Sequence, residues 1–263
     1  MMAVTASVLA GSVGQAPAGQ LLSGAQGDAV RGRSSLVLGQ PGSRALRLDV
    51  AADTDLAVQR VTRIWGPGWS RQVVVVVPDT QRQASVLVGG GVELDQLAAV
   101  ATGDRIIVNP RTFATLNPPG RTLVLTHEVM HLASRAATGA YVPMWLVEGL
   151  ADYAGYRELG VALSLSAREV RADLRRGLRP TGLPTDDDFA GDNPRLAATY
   201  EQAWLAVVQL AEHYGPAKLL AVYRAMGAAP SSSAAAAAFA DVLGVPVAAF
   251  EREWVARLPT DAA

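Results

Sequence analysis

The chain has 263 residues, half of them apolar, and carries a formal net charge of −1 with only 18% of its residues charged. This length allows one large domain or two small ones with a substantial core, which argues against a disordered chain, and the low charge argues against nucleic acid as a partner. Cysteine is absent, so disulfides and thiolate metal sites are excluded, and any metal must be held by His, Asp or Glu. The basic residues are all Arg except Lys218; with the abundant Ala, Gly and Val, this indicates a GC-rich bacterial genome.

Residues 1–43 are predicted to form a flexible leader or the remnant of a signal or anchor. They are rich in Gly, Ser, Ala and Gln, and no charged residue precedes Asp28. A secretory signal has a basic start and a stronger apolar block, and both are missing, so both alternatives stay open. No later run reaches the length of a membrane span. An extracytoplasmic or membrane-associated location is favoured, and a cytoplasmic one stays open.

The rest of the chain, 44–263, is predicted to be one α+β domain with a small mixed sheet, about 44–115, followed by a mainly helical half, about 121–259. Residues 53–65 have the apolar spacing of a short helix. The segments "RQVVVVVPDT", "ASVLVGGG" and "DRIIVNP" predict three strands, and "RSSLVLG" within the leader predicts a fourth, short one.

The helical half begins with a pattern starting at Arg121, and a second helix follows Pro143. A third is predicted from about Pro194 to His213, ending near Gly215-Pro216, and further helices close the chain.

The first of these helices contains "LTHEVMHL", which places His127, Glu128 and His131 among apolar residues. The two histidines are four residues apart, so one helical turn brings both imidazoles to the same face, opposite Leu125 and Val129. This H-E-x-x-H spacing presents two nitrogens to one divalent ion, and Glu128 is placed to act as a general base. The alternative is a pair of hydrogen-bonded core histidines.

A catalytic zinc needs a third protein ligand and one open position. Glu148, in "WLVEGLADY", lies 17 residues after His131 on the next predicted helix. A carboxylate among apolar residues in mid-helix is costly to bury unless it is paired or bound to metal. Gly149 beside it would let this helix and the histidine-bearing helix approach closely.

"HEVMH" followed by "WLVEGLADY" resembles the gluzincin zinc metallopeptidases, in particular the bacterial peptidase-MA-like domains. The resemblance extends from about Gly103 to the C-terminus and includes "YEQAWLAVVQLAEHYG". It implies a zincin-like fold and one Zn²⁺ per chain, bound by His127, His131 and Glu148. It also implies that Glu128 activates water to hydrolyse a peptide or protein substrate.

Two further residues are candidates on the same resemblance. Asp152 lies one turn after Glu148, where gluzincins carry an Asp that orients the first His; the alternative is a solvated helix-face Asp. Tyr200, 52 residues after Glu148, resembles the Tyr that stabilises the oxyanion in aminopeptidase-like gluzincins. Tyr153 and Tyr156 are rivals, and Tyr200 as an ordinary packed residue stays open. His213, near the end of its helix, is interpreted as structural.

The substrate is less well specified. Gluzincins pair an extended substrate with an edge strand, and "DRIIVNP" is the best candidate by order and spacing. The Arg-rich stretch 168–179 would favour acidic substrates if it flanked the cleft, but such a run is more often a solvated face. The "GxMEN" segment of exopeptidases is absent, which argues against an aminopeptidase.

Three functions therefore compete. The leading one is a zinc-dependent peptidase, and the second is a non-catalytic zinc-containing binding or regulatory module of the cell envelope. The intact Glu128 speaks against the module, because a structural zinc needs no general base and normally has four protein ligands. The third is a hydrolase of non-peptidic amide bonds, for example in the cell wall.

Overall fold

The structure is a computed structural model and describes residues 28–39, 44–89, 94, 97–159 and 166–261. The chain divides into two compact units, Met1–Ala133 and Ser134–Ala263. The elements of the first unit are β1 (Asp28–Arg31), β2 (Ser35–Gly39), α1 (Arg44–Trp65), β3 (Val73–Val77), α2 (Gln81–Leu87), β4 (Ala99–Thr102), β5 (Arg105–Val108), α3 (Pro110–Phe113) and α4 (Pro118–Ser134).

The first unit contains a mixed five-stranded sheet with the order β1-β2-β3-β5-β4. Strands β2, β3 and β5 are parallel, and an antiparallel neighbour flanks them at each end. The valine run of β3 forms the middle strand, and four of its five residues are buried. Residues on central parallel strands are covered on both faces, which explains this continuous apolar run. The layout agrees with the predicted α+β class, with a small mixed sheet and a mainly helical remainder.

The sheet begins earlier in the chain than the sequence indicates. Strands β1 and β2 lie at 28–39, a part assigned above to the leader 1–43, although the short strand in "RSSLVLG" is confirmed. The turn between them is held by the buried carboxylate of Asp55, which accepts hydrogen bonds from the backbone N–H of Arg33 and Ser34 at 2.7 and 2.9 Å. The same carboxylate also accepts a hydrogen bond from the Ser35 hydroxyl at 2.8 Å. A partner 20 residues away stabilises this turn, so local composition could not reveal it.

One predicted strand is a helix. "ASVLVGGG" was predicted to be extended, but Gln81–Leu87 forms α2. The Thr80 side chain accepts a hydrogen bond from the Gln83 backbone N–H, and the Gln83 side chain accepts one from the Thr80 backbone N–H. This reciprocal pair is a capping box. The cap gives hydrogen-bond partners to the backbone N–H groups of Thr80 and Gln83. This stabilisation of the first turn outweighs the β propensity of Val86 and Val88.

The edge of the sheet was also assigned to the wrong strand. "DRIIVNP" forms β5 as predicted, but β5 pairs with both β3 and β4 and so lies inside the sheet. Among the described strands, β4 is the edge on this side. The two residues Gly103 and Asp104 join β4 and β5 in a tight hairpin, with Gly103 at φ 60°. Strand β4 has the sequence "AVAT" and little β propensity, so the pattern gave no sign of it.

The second unit is helical. Its α5 begins directly after Pro143, and its α7 ends at Gly215-Pro216, both as predicted. Its helices are α5 (Met144–Tyr156), α6 (Arg168–Arg175), α7 (Leu196–Tyr214), α8 (Pro216–Gly227), α9 (Ser232–Leu243) and α10 (Val247–Asp261), with 3₁₀ turns at Arg135–Ala137 and Asp186–Phe189.

Helices α5 and α7 approach each other closely at Gly149, whereas the sequence predicts that this glycine brings α5 close to the histidine-bearing helix. A Cβ added there would lie 2.4 Å from the Ala203 carbonyl oxygen and 2.7 Å from the Val207 side chain. Since a backbone oxygen cannot move aside as a flexible side chain can, only glycine fits. The contact sets the spacing of the helix that carries Glu148.

We expect Gly149→Ala to destabilise the protein by about 3 kcal/mol, because the overpacking clash outweighs the higher helix propensity of Ala. Urea unfolding measures the change. Gly191→Ala is the matched control, because nothing lies within 4 Å of the added Cβ. Equal stability of the two variants would contradict the close approach of α5 and α7.

No individual helix in the described part of the chain is both long enough and apolar enough to cross a membrane. One pair, Ser232–Leu243 with Val247–Leu258, meets the length and composition criteria together but is bent by 67°.

Candidate metal centre

Helix α4 presents the two histidines as their spacing predicts. His127 and Glu128 are fully buried, and His131 is 7% exposed. The Nε2 atoms of His127 and His131 lie 2.9 Å apart, and the two rings meet edge to face. Both imidazoles therefore direct the same nitrogen toward one point, which is the arrangement needed to share a ligand.

Helix α5 supplies the carboxylate of Glu148, which is also fully buried. His127, His131 and Glu148 each offer one ligand atom, and these three atoms all lie within 4.8 Å of one another. They form a group that could hold a metal ion. We call these three residues the His-His-Glu cluster.

The donor set of the cluster fits zinc. Two imidazole nitrogens and one carboxylate oxygen are ligands that catalytic zinc uses, with a fourth position left for water or substrate. Zinc–nitrogen bonds of about 2.0–2.1 Å in tetrahedral geometry place two nitrogens about 3.3 Å apart. The observed 2.9 Å between the Nε2 atoms is within a small side-chain adjustment of that separation.

Glu128 is held in place by a backbone group. Its Oε2 accepts a hydrogen bond from the backbone N–H of Ala101 at 2.6 Å. Ala101 lies on the edge strand β4, 27 residues earlier in the chain. Sequence reasoning missed this contact, because no motif marks a backbone donor.

No family model and no curated protein matches this chain. Among solved structures, it is similar to a variant of the M1 zinc metallopeptidase from Deinococcus radiodurans, with 17% identity and a TM-score of 0.50, over 87% of this chain and 50% of that one. A two-domain M1 zinc metallopeptidase variant bound to L-arginine matches with 15% identity and a TM-score of 0.48, over 89% and 50%; this second likeness is too weak to carry an argument.

The first likeness concerns the fold alone. At 17% identity it shows a shared fold, and the α+β layout is consistent with a zincin-like domain. The chain spans half the length of both solved structures.

The two remaining candidate residues are buried. Asp152 is 8% exposed and follows Glu148 by one turn of α5. Tyr200 is 6% exposed in the first turns of α7, and its ring contacts Phe189 edge to face with centroids 5.3 Å apart. That Asp152 orients His127 and that Tyr200 stabilises the oxyanion both stay predictions.

The rival residues have other contacts. The Tyr153 hydroxyl accepts a hydrogen bond from Arg157, and the Tyr156 ring packs on Trp204 with centroids 4.8 Å apart. His213 is about half exposed and lies 3.6 Å from Glu253, in keeping with a structural role.

Tyr223 of α8 is a buried neighbour of Glu148 that the sequence did not single out. Its hydroxyl lies 2.6 Å from the Thr138 hydroxyl and 3.4 Å from that of Ser134. Burial raises the pKa of Tyr223, and the nearby carboxylate of Glu148 raises it further. The phenol therefore stays neutral and places a hydroxyl dipole, rather than a second anion, near Glu148.

Two arginines of the Arg-rich stretch 168–179 pair with acidic residues within it. Arg168 pairs with Glu169, and Asp173 pairs with both Arg176 and Arg195, the latter at 2.6 Å. These partners support the interpretation of this run as a solvated face.

Glu201 is a second buried acid of this unit that the sequence did not reveal. It is 2% exposed and its Oε2 accepts the Val170 backbone N–H at 2.8 Å, so it caps helix α6, whose own N-cap residue Ala167 makes no side-chain bond. Burial raises the pKa of Glu201 to about 7, and the hydrogen bonds from the α6 backbone lower it by a smaller amount. Glu169, Arg168 and Tyr156 are the other titratable groups around it.

This raised pKa predicts a pH-dependent stability. The folded protein holds the Glu201 proton more tightly than the unfolded chain does. The stabilisation of the folded state by this proton is therefore full below about pH 4.5 and is lost as the pH rises through about 7. We expect Glu201→Gln to remove about 2–3 kcal/mol of the stability difference between pH 5 and pH 8, as measured by urea unfolding.

Glu212→Gln is the control for this experiment, because Glu212 is an exposed carboxylate on the same helix. The same loss of stability with rising pH in the parent and in Glu201→Gln would show that Glu201 titrates normally.

Proposed function

We propose that this chain is a zinc-dependent peptidase. The observation that carries the proposal is the buried His-His-Glu cluster, with Glu128 directly beside its first histidine. The likeness of the fold to an M1 zinc metallopeptidase supports the same conclusion. The substrate class is a peptide or protein.

Each residue of the site has a distinct role in this proposal. His127, His131 and Glu148 hold one Zn²⁺, and Asp152 orients His127 by accepting its second ring N–H. When bound, zinc would polarise the scissile carbonyl and make a water molecule more acidic. Glu128 accepts a proton from the attacking water and returns it to the leaving amine. Tyr200 donates a hydrogen bond to the oxygen that becomes negative.

The buried position of the cluster suits this chemistry. A general base acts more effectively where bulk water is excluded, because its interactions with developing charge are stronger in a low dielectric. Glu128 is fully buried and is held by a backbone donor. A structural zinc site would need a fourth protein ligand instead of such a base.

Metal analysis and an unbiased cleavage profile test the proposal. We expect one zinc per chain and cleavage of a mixed peptide library that a chelator abolishes and added zinc restores. Stoichiometric zinc without any cleavage would favour the binding module instead. Cleavage confined to non-peptidic amides would favour the third function named above.

A further inference from the structure

The edge strand β4 contributes a backbone group to the candidate site. The N–H of Ala101 donates to Oε2 of Glu128 at 2.6 Å, and both residues are buried. A hydrogen bond of this length to an ionised carboxylate belongs to the strong, charge-assisted class.

The Ala101 N–H is not part of the β ladder. The Asn109 N–H donates to the Ala98 carbonyl, which makes 98 and 109 a hydrogen-bonded pair. Such pairs alternate along antiparallel strands, so Val100–Ile107 is the next one, and Ala101, opposite Ile106, falls on a non-hydrogen-bonded position. Its N–H therefore faces away from β5, toward the free side of the edge strand.

We propose that the backbone amide of Ala101 is the positioning group for Glu128. A glutamate side chain has three rotatable bonds, and a general base must lie within hydrogen-bond reach of the proton that it abstracts. The Ala101 amide fixes the position of one carboxylate oxygen, Oε2, and so restricts the rotation of the Glu128 side chain. Its catalytic consequence rests on the proposed function, whereas the contact itself does not.

This assignment also has a consequence for the substrate. The N–H of Ala101 is the outward donor that an added strand would otherwise use at this position. Because Glu128 occupies it, a substrate that pairs with β4 beside Ala101 must take its hydrogen bonds from other backbone groups or displace the base. Binding at the edge strand and placement of the general base are therefore linked.

Amide hydrogen exchange of the metal-free protein tests the contact without any assay of activity. We expect Ala101 to exchange about tenfold faster in Glu128→Ala than in the parent, with Glu128→Gln between them because the neutral amide is a weaker acceptor. The Ile107 amide, which lies in the β4–β5 ladder, is the internal control and should not change. Equal exchange of Ala101 in all three proteins would overturn the inference.

Ala101→Pro tests the consequence for catalysis. Proline removes this N–H without breaking a ladder hydrogen bond, which is where an edge strand tolerates it. With zinc bound, we expect kcat to fall about 10- to 100-fold with KM and zinc affinity nearly unchanged, because the base is misplaced and the metal ligands are not. Ala99→Pro is the matched control, because position 99, opposite Val108, also lies outside the hydrogen-bonded pairs of the β4–β5 ladder and the variant keeps the Ala101 N–H.

The outcomes of the two experiments are separable. A kcat for Ala101→Pro equal to that of Ala99→Pro would overturn the positioning role. If the proline variant does not fold, shown by lost protection at Ile107, the exchange experiment alone decides. A parent protein that cleaves no peptide would end the proposed function, while Ala101 exchange would still report on the contact.

Discussion

Glu128→Gln is expected to retain one zinc per chain and to lose peptidase activity by about a thousandfold or more in kcat. Glutamine has nearly the same shape as glutamate and can still accept the Ala101 N–H, but it cannot take a proton from water. General base catalysis contributes about 10²–10⁴-fold, so its removal dominates any other single change at this site. Steady-state kinetics together with metal analysis of the same preparation measure both quantities.

The control for this variant is Glu212→Gln, which removes an exposed carboxylate from α7 and should leave kcat unchanged. A Glu128→Gln protein that cleaves peptides as fast as the parent would remove Glu128 from the mechanism. A variant that loses zinc as well would indicate a role in metal binding rather than in proton transfer.

Glu148→Gln is expected to weaken zinc binding by more than about 100-fold. Loss of an outer hydrogen-bond partner of a ligand costs about 10–100-fold in metal affinity, so loss of a direct carboxylate ligand should cost more. Competition with a chromogenic chelator measures the affinity. The same loss should appear as a smaller rise in Tm on adding zinc, because a ligand stabilises the folded state in proportion to the logarithm of its affinity.

Asp152→Asn provides the comparison within the same helix. If Asp152 orients His127, its variant should lose zinc affinity about 10- to 100-fold, less than Glu148→Gln. If Asp152 has no role in orienting His127, the zinc affinity of Asp152→Asn should equal that of the parent. Unchanged zinc affinity in Glu148→Gln would mean that the carboxylate of α5 is not a ligand, and the proposed centre would then lack its third protein donor.

Local spacing was sufficient for the parts of the site that lie on one helix. The interval between His127 and His131 is one turn, so their shared face follows from helix geometry. Glu148 was found for a different reason, because a carboxylate placed among apolar residues in mid-helix needs a partner. Gly149 beside it was correctly interpreted as a point of close helix approach, but the helix that it contacts is α7, at Ala203, and not the histidine-bearing helix that the sequence indicated.

The sheet was harder to predict, because the decisive contacts there join distant residues. Strand β1, "DAVR", has too few residues and too many charges to read as a strand, and Asp55 in α1 holds its turn. The segment "ASVLVGGG" was predicted to be a strand, but the capping box at Thr80 starts a helix that includes its first four residues. The edge position belongs to β4 because a two-residue hairpin folds it onto β5, and apolar periodicity contains no information about that order.

The backbone contact between Ala101 and Glu128 could not have been predicted at all. Every residue except proline carries an N–H, so the donor leaves no trace in the amino-acid type. The register of β4 and β5 decides which amide faces outward. Because β5 was predicted to be the edge strand, the register between β4 and β5 could not be predicted.

The tight crossing at Gly149 has a practical consequence for finding remote homologues. The Ala203 carbonyl stands where any side chain at 149 would begin, so the residue directly after the helix glutamate is restricted by sterics rather than by chemistry. A search that requires H-E-x-x-H followed on the next helix by Glu-Gly adds a filter that chance matches to the histidine pair alone would seldom pass.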